Sequence, residues 1–235
     1  MTALLILTAL ELEARALARE LELPPLSSFS FPAFGRPRLR LAPVGLRAAL
    51  CGARWRELSD GLDHPLVVSA GVCGALERAL APASLVIPER VMGPSGDLYA
   101  VAAGAHRTVL ARAGRPAETG LVLTVREAVE TPAAKAALRA ETGAVAVDME
   151  SAVIAACAQA AGWPALVVRA VADGAHEDLP KDLVDLVTPV GRLAHRRALA
   201  LAITRPGVLP HVLTLWGRTR RALAAVARAL RAIIE

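Results

Sequence analysis

The sequence is poor in aromatic residues, in cysteines and in long apolar runs. Phe, Trp and Tyr make up 3% of the 235 residues, although 54% are hydrophobic. A buried core must therefore be built from Ala, Leu and Val. Scarce aromatics and the lack of a recognition motif argue against a nucleic-acid partner, because readers of single strands stack bases on aromatic rings. The apolar stretch 152–168 is broken by Gln159, Gly162 and Pro164, so it does not predict a membrane-spanning helix.

Metal and cofactor motifs are also missing. Three cysteines without a CxxC pair predict neither a disulfide framework nor a zinc cluster, and they fit a reducing cytoplasm. The five histidines form no HxH or HExxH pair, so we predict no metal site. No GxGxxG follows the first apolar run and no Walker A lysine occurs, so we expect no dinucleotide cofactor. Residues 1–10 lack the basic start of a secretory signal, which again predicts a cytoplasmic protein.

Positive charge is concentrated at the C-terminal end. Nine arginines and one acid lie between Arg192 and Glu235, whereas the whole chain carries only +5. Within 218–234 the helical spacing of apolar residues, with arginines on the other side, predicts a basic amphipathic helix. Its apolar members are Leu223, Val226, Leu230 and Ile233. Two interpretations are open: the stripe packs on the domain, or it lies on an anionic membrane or a partner, which would make the protein peripheral to the membrane.

Short apolar runs alternate with helical segments along most of the chain. Strands are predicted at 3–9, 39–44, 65–70, 84–88, 98–103, 120–125, 144–148 and 165–170, and helices at 11–21, 46–58, 131–141 and 150–161. This alternation predicts a single α/β domain with helices on the faces of a sheet. We assign residues 1–190 to that domain and residues 191–235 to a basic helical extension of it.

Acids and glycines stand where the predicted strands end. They are Glu11 and Glu13, the two-glycine turn from Gly71 to Gly74, Asp148 and Glu150, and Asp173. In open α/β sheets ligands bind beyond the carboxyl ends of the strands. The sequence therefore predicts one composite site built from these four segments.

The same segments resemble the nucleoside phosphorylase and nucleosidase superfamily. The matching pieces are the strand and acids of 4–13, the glycine turn SAGVCGAL at 69–76, VDMESA at 147–152 and RAVAD at 169–173. The resemblance runs from residue 3 to about residue 180. It implies a nucleoside phosphorylase-like fold with a central mixed twisted sheet, and cleavage of the bond between a purine base and ribose. It also implies a homo-oligomer in which a neighbouring subunit often completes the site.

The chemistry of that bond explains the residue types. It breaks through an oxocarbenium-like state, so the leaving base must be protonated or hydrogen-bonded. The resemblance implies that Asp173 acts on the base, that Glu150 binds the ribose hydroxyls and that Met149 packs against the sugar. Glu13 matches the position that activates water in the hydrolases of the family, and Asp148 is expected to orient its turn. Each acid also has an ordinary interpretation as a turn or helix-start residue.

The attacking group is either water or inorganic phosphate. The family's phosphorylases carry Ser or Thr after the first glycine of the glycine turn, where this chain has Val72. The hydroxyl of Ser69, the backbone at Gly71 and the charge of Arg47 are the remaining candidates beside the attacking group, although Arg47 also fits a surface helix. Val72 and Glu13 favour water, inorganic phosphate stays open as a co-substrate, and we expect no other cofactor.

One branch of the superfamily is more similar than the others. Residues 135–138 (KAAL) and 205–210 (RPGVLP), followed by an Arg/Ala/Leu helix, resemble the hopanoid-associated phosphorylases. That similarity implies release of adenine from an adenosylated hopane, with phosphate as the attacking group. The alternatives are hydrolysis of methylthioadenosine or adenosylhomocysteine, and a non-catalytic protein that binds a nucleoside or a lipid surface. The joint presence of Glu13, Glu150 and Asp173 favours an enzyme.

Overall fold

The computed structural model of this chain describes residues 2–179, 188 and 209–235, with only the backbone at 209–211. Its strands are β1 Leu4–Thr8, β2 Phe34–Arg36, β3 Leu39–Pro43, β4 Leu66–Ala75, β5 Leu85–Val86, β6 Arg90–Met92, β7 Leu98–Ala100, β8 Ala117–Glu118, β9 Val122–Thr124, β10 Ala146–Asp148 and β11 Ala165–Asp173. Its helices are α1 Glu11–Glu20, α2 Cys51–Ser59, α3 Ala103–Arg112, α4 Pro132–Thr142, α5 Ser151–Ala160 and α6 Leu209–Ile234, with a 3-10 turn at Leu46–Ala48.

The strands form one mixed sheet, which confirms the predicted α/β fold. The path runs β2-β3-β1-β4-β10-β9-β6-β7, while β11 pairs with β4 and β5, and β8 with β5. Strand β1 pairs in parallel with β3 and with β4, and β4 pairs in parallel with β11. Strand β10 runs antiparallel to β4. The predicted boundary at 190/191 and residues 205–208 lie outside the described residues, so the division into domain and extension stays a prediction.

Strand β4 changes its neighbour halfway along. It pairs with β1 up to Ser69 and with β10 from Gly74, while β11 accompanies it along the other side. Between these two pairings, the edge of β4 that faced β1 has no strand partner among the described residues. Its backbone groups are therefore available to side chains, and the candidate site forms in this gap.

The predicted glycine turn at 71–74 is wrong, because these residues continue β4 to Ala75. Gly71 has a φ of +155°, and a Cβ built there would lie 2.6 Å from both Arg169 Nη1 and Glu13 Oε1. The glycine therefore marks a close approach of side chains to a strand, which is the other common meaning of glycine within a strand. The sequence pattern alone could not separate these two meanings.

Two other predicted elements differ from the structure. Residues 98–103 form a strand only to Ala100, and helix α3 begins at Ala103. The helix predicted at 46–58 starts with a 3-10 turn and becomes α2 only at Cys51. The cause is the left-handed backbone of Arg47, with φ 56°, and of Ala48, with φ 50°. Both residues would break a continuous α-helix.

Helix α6 lies against the domain core. Leu223, Val226 and Leu230 are at most 1% exposed, and they belong to the cluster that includes β1, β4 and β11 side chains. The first of the two interpretations of the basic helix therefore describes the structure, and the stripe is not available to a membrane. None of the helices in the described ranges combines the length and hydropathy that a bilayer crossing needs.

Candidate functional site

One cavity collects acids from three distant parts of the chain. It has a volume of about 170 Å³ and is lined by Glu13, Asp148, Met149, Glu150 and Asp173 together with apolar side chains. The apolar lining includes Ala9, Leu46, Val72, Val125, Val129, Val147 and Leu179. The composite site predicted from the strand ends is thus a single pocket, with acids on several walls and apolar surface between them.

Glu13 is fixed by backbone donors at the start of α1. Its Oε2 accepts a bond from Leu10 N at 3.0 Å, and its Oε1 accepts one from Val72 N at 3.0 Å. The second donor is available because β4 has left β1 at this point. Glu13 is buried, and burial raises the pKa of its carboxyl although the Arg169 charge opposes this. Glu11, two residues earlier, instead forms an ion pair of 2.7 Å with Arg15.

A buried arginine stands at the centre of the acids. It opens the RAVAD segment, but the residue pattern assigns it no role of its own. Arg169 of β11 is fully buried and forms an ion pair of 2.9 Å from Nε to Asp148 Oδ2. Burial lowers the pKa of its guanidinium, but the carboxylates of Asp148, Glu150 and Glu13 outweigh this and raise it. The signal in the sequence was a lone charge inside an apolar strand, since buried charges are rare unless paired.

Hydrogen bonds to Arg169 leave one of its nitrogens unused. Nη2 donates to Ser69 Oγ at 2.8 Å and to Ser151 Oγ at 3.0 Å. Among the buried side-chain nitrogen and oxygen atoms of the described residues, Nη1 is the one that has no hydrogen-bond partner. Nη1 and Glu13 Oε1 each lie 2.6 Å from the point that a Cβ on Gly71 would occupy. The glycine therefore leaves a small space between a cationic donor and a carboxylate.

Ser69 and Asp148 support the site through buried hydrogen bonds. The Ser69 hydroxyl lies 3.2 Å from Ser151 Oγ and is buried beside Arg169. Asp148 Oδ1 accepts bonds from Thr124 Oγ1 at 2.7 Å and from Ser151 N at 3.3 Å. Asp148 thus ties β9, β10 and the start of α5 together, as its predicted orienting role requires.

Glu150 and Met149 follow β10 and line the cavity. Glu150 is the N-cap residue of α5, and its Oε1 accepts a bond of 2.9 Å from Arg47 N. Burial raises the pKa of the Glu150 carboxyl to about 7, with Arg169 opposing the rise. The Arg47 side chain is exposed and its Nε donates to Arg126 O. Arg47 therefore contributes its backbone N–H to the site, while its guanidinium is not among the cavity-lining groups.

Asp173 ends β11 on another wall of the cavity. Its Oδ2 accepts a bond of 2.6 Å from Lys135 Nζ, and the Lys135 side chain is only 1% exposed. Burial raises the pKa of the Asp173 carboxyl, whereas the Lys135 ammonium opposes the rise. Asp173 can therefore hold a proton at higher pH than an exposed aspartate can.

The arrangement separates two kinds of acid across an apolar pocket. Glu13 and Glu150 lie near the Arg169 cation, whereas Asp173 is held by Lys135. Carboxyl groups with different surroundings can act as acid and base in one reaction. Within the described residues, no group of His, Cys, Asp and Glu side chains has the geometry of a metal site.

Comparisons with known proteins agree with this fold. A sequence profile described as the phosphorylase superfamily matches residues 56–204. The structure is similar to a 5'-methylthioadenosine/S-adenosylhomocysteine nucleosidase from Neisseria meningitidis in complex with methylthio-immucillin-A, with a TM-score of 0.73 and 19% identity over 100% of this chain and 99% of that one. By sequence, no curated protein gives a significant match.

Two further solved structures have the same fold. Futalosine hydrolase of Helicobacter pylori has a TM-score of 0.71 at 16% identity, covering 99% of this chain and 97% of that one. The methylthioadenosine/adenosylhomocysteine nucleosidase of Helicobacter pylori with butyl-thio-DADMe-Immucillin-A also has a TM-score of 0.71 at 16% identity, covering 100% and 98%. At these identities the likeness concerns the fold, and the chemistry must be argued from the site itself.

Proposed function

This chain belongs to the phosphorylase superfamily, and we propose that it hydrolyses the N-glycosidic bond of a purine nucleoside, releasing adenine. The observation that carries the proposal is the shared cavity, which brings Glu13, Met149, Glu150 and Asp173 together from three segments of the chain. Each of these residues has the chemistry that one part of such a nucleoside needs.

Asp173 is proposed to serve the leaving base. As the bond from ribose C1' to the base nitrogen breaks, negative charge builds on the purine. A protonated carboxyl can donate its proton to N7, and burial keeps Asp173 protonated to higher pH than usual. The apolar lining, which includes Val125, Val129 and Leu179, suits the faces of a purine ring.

Glu150 and Met149 are proposed to hold the sugar. A carboxylate can accept hydrogen bonds from both hydroxyls of a ribose diol. Glu150 is already oriented by the Arg47 N–H at 2.9 Å, so little ordering remains when the sugar binds. Met149 lies beside it on the cavity wall and offers an apolar surface to the ring.

Water is favoured over phosphate as the attacking group. The Val72 N–H, which could bind an anion, already donates to Glu13. Three carboxyl groups, of Glu13, Asp148 and Glu150, surround the single Arg169 charge and would repel a phosphate dianion. In the proposed step a water oxygen bonds to C1', its proton passes to Glu13, and Arg169 Nη1 can donate a hydrogen bond in the space beside Gly71.

The 5' group of the substrate defines the finer function. The resemblance of 135–138 and 205–210 to the hopanoid-associated branch supports an adenosylated hopane. Two of the three solved structures named above are nucleosidases of methylthioadenosine and adenosylhomocysteine, and the third is a futalosine hydrolase. A homo-oligomer completing the site, a cytoplasmic location and a contact with an anionic membrane are further proposals from the sequence. With the apolar stripe of α6 buried, a membrane contact would depend on its exposed arginines, such as Arg221 and Arg228.

The proposal is tested by incubating the purified chain with adenosine derivatives that differ at the 5' position. The set contains methylthioadenosine, adenosylhomocysteine and an adenosine with a long 5'-alkyl chain, each with and without inorganic phosphate. We expect free adenine and a free reducing sugar, at a rate that phosphate does not raise. Ribose 1-phosphate products would show phosphorolysis instead, and no base release from any substrate would overturn the proposed function.

A further inference from the structure

A buried lysine lies directly behind Asp173. The Lys135 ammonium donates to Asp173 Oδ2 at 2.6 Å, to Gly174 O at 2.8 Å and to Glu177 O at 2.9 Å. An ammonium group has three N–H donors, so these three acceptors satisfy it completely. Since a buried charge without such partners is strongly unfavourable, the position is built to keep a cation beside the carboxyl.

Helix α4 delivers this lysine, and its ends are well defined. The Thr131 side chain caps the helix start by accepting a bond from Ala134 N, Pro132 follows it, and Gly143 ends the helix in a left-handed conformation. Lys135 is therefore held in the first turn of a fixed helix, pointing to the end of β11. Arg139, one turn later, reaches away to Glu77 instead.

We infer that Lys135 is the positioning residue of the catalytic acid: it holds Oδ2 of Asp173 and leaves Oδ1 for the purine base. This inference rests on the proposed function, in which Asp173 protonates the base. A carboxyl tied at one oxygen loses little freedom when it meets the base, which is how orientation lowers a barrier. The cation also stabilises the carboxylate that remains after the proton has left.

A chain of alternating charges extends from Asp173 to the C-terminal helix. Arg218 of α6 forms an ion pair with Glu177 Oε2, which also accepts a bond of 3.0 Å from Gly174 N. These contacts hold the 174–177 backbone, whose carbonyls receive the Lys135 ammonium. Helix α6 therefore helps to fix the position of Lys135, through the contact of Arg218 with Glu177.

The groups around Asp173 set the sign of a pH test. Lys135 on α4 lowers the pKa of Asp173, and the Glu177 carboxylate on the following loop raises it. Arg218 on α6 acts on Glu177, and Cys73 on the adjacent β4 is the nearby thiol. Turnover requires protonated Asp173, so activity should fall as pH rises through the pKa of this carboxyl.

The test is the pH profile of adenine release by Lys135→Met, using the substrate that wild type cleaves best. Without the cation, the alkaline limb of kcat should move up by about one pH unit or more. Maximal kcat should fall about tenfold or more from lost orientation. Lys135→Arg should return the limb toward wild type, and Glu177→Gln should move it the opposite way, to lower pH. Arg139→Met, on the same helix, is the matched control and should leave the limb in place.

A folded Lys135→Met variant with an unmoved alkaline limb would overturn the inference. If Lys135→Met does not fold, Lys135→Gln replaces it, because glutamine can donate to Oδ2 without a charge. The alkaline limb of kcat should again move to higher pH, and an unmoved limb would again overturn the inference. Calorimetry of adenine binding across pH gives a second readout that needs no turnover. The pH at which adenine affinity falls should shift in the same direction as the alkaline limb of kcat. If the wild-type protein releases no purine, the proposed function is overturned. If wild type is active but Lys135→Met has the same alkaline limb of kcat, only the role of Lys135 is overturned.

Discussion

Glu13 Oε1 accepts a 3.0 Å hydrogen bond from the backbone N–H of Val72, 59 positions later in the chain. The contact exists because β4 leaves β1 after Ser69 and exposes its backbone edge. It places a carboxylate on the donor that an anionic co-substrate would otherwise use. This one contact links the course of the sheet to the proposed use of water as the nucleophile.

Glu13→Gln should remove most of the hydrolysis. The amide cannot take a proton from water, so we expect a loss of about 10²-fold or more in kcat. The measurement is adenine release in phosphate-free buffer, and added phosphate should not restore it. Glu11→Gln, from the same helix turn, should stay close to wild type. Full activity in Glu13→Gln would remove Glu13 from the mechanism.

Glu150→Gln should discriminate between sugars. A carboxylate accepts from both ribose hydroxyls, whereas an amide offers one oxygen, so ribosyl substrates should lose kcat/KM by about 10-fold or more. A 2'-deoxy substrate lacks one of these hydroxyls and should lose less. Steady-state kinetics on the matched pair of substrates checks this, and equal losses on both sugars would contradict the ribose-binding role.

The same substitution should change how stability depends on pH. Burial raises the pKa of Glu150 from 4.5 to about 7, so the folded state holds the proton more tightly than the unfolded state. As pH rises from about 4.5 to about 7, the unfolded chain loses this proton while the folded chain keeps it, so stability should fall over that range, by about 3 kcal/mol for a shift of this size. Glu150→Gln should melt higher than wild type at pH 8, with the advantage shrinking toward pH 4. An advantage independent of pH would argue against a buried titration.

The buried face of α6 should contribute to stability. Leu230 is 0% exposed, so Leu230→Ala should cost about 2–5 kcal/mol of unfolding free energy. Leu213, on the same helix, is 70% exposed, and Leu213→Ala should change stability by about 0.5 kcal/mol or less. Urea unfolding of both variants provides the comparison. Similar costs at the two positions would contradict the packing of α6 on the core.

Periodicity and chain order predict the α/β class and the grouping of the site acids, whereas the nucleoside phosphorylase-like fold is implied by the family resemblance. Apolar runs predict the longer strands, and the rule that ligands bind at strand ends groups Glu13, Glu150 and Asp173 from their positions in the chain alone. A lone charged residue within an apolar segment indicates a buried, paired charge, but the residue pattern does not identify its partner. Arg169 in its strand and Lys135 in its helix are both buried, and each is paired with an acid of the site.

The backbone groups that bind the site acids cannot be predicted from the sequence. The Val72 and Arg47 N–H groups each bind a site carboxyl, and residue type says nothing about where a backbone donor points. The pattern at Gly71 predicts a turn where the structure has a strand, because glycine serves turns and close approaches alike. The packing of α6 is ambiguous in the sequence for a similar reason, since an amphipathic stripe fits a core as well as a membrane.

Adenine release by Asp173→Asn is the most direct test of the proposed mechanism. Asparagine keeps the size of the side chain and an acceptor for Lys135, so the fold should persist, but it has no acidic proton for the base. With methylthioadenosine, or the best substrate found, turnover should fall by about 10²-fold or more while the circular dichroism spectrum is unchanged. Asp97→Asn, at an exposed position, is the matched control. A folded Asp173→Asn variant that releases adenine within about threefold of the wild-type rate would contradict the assignment of Asp173 as the acid that expels the base.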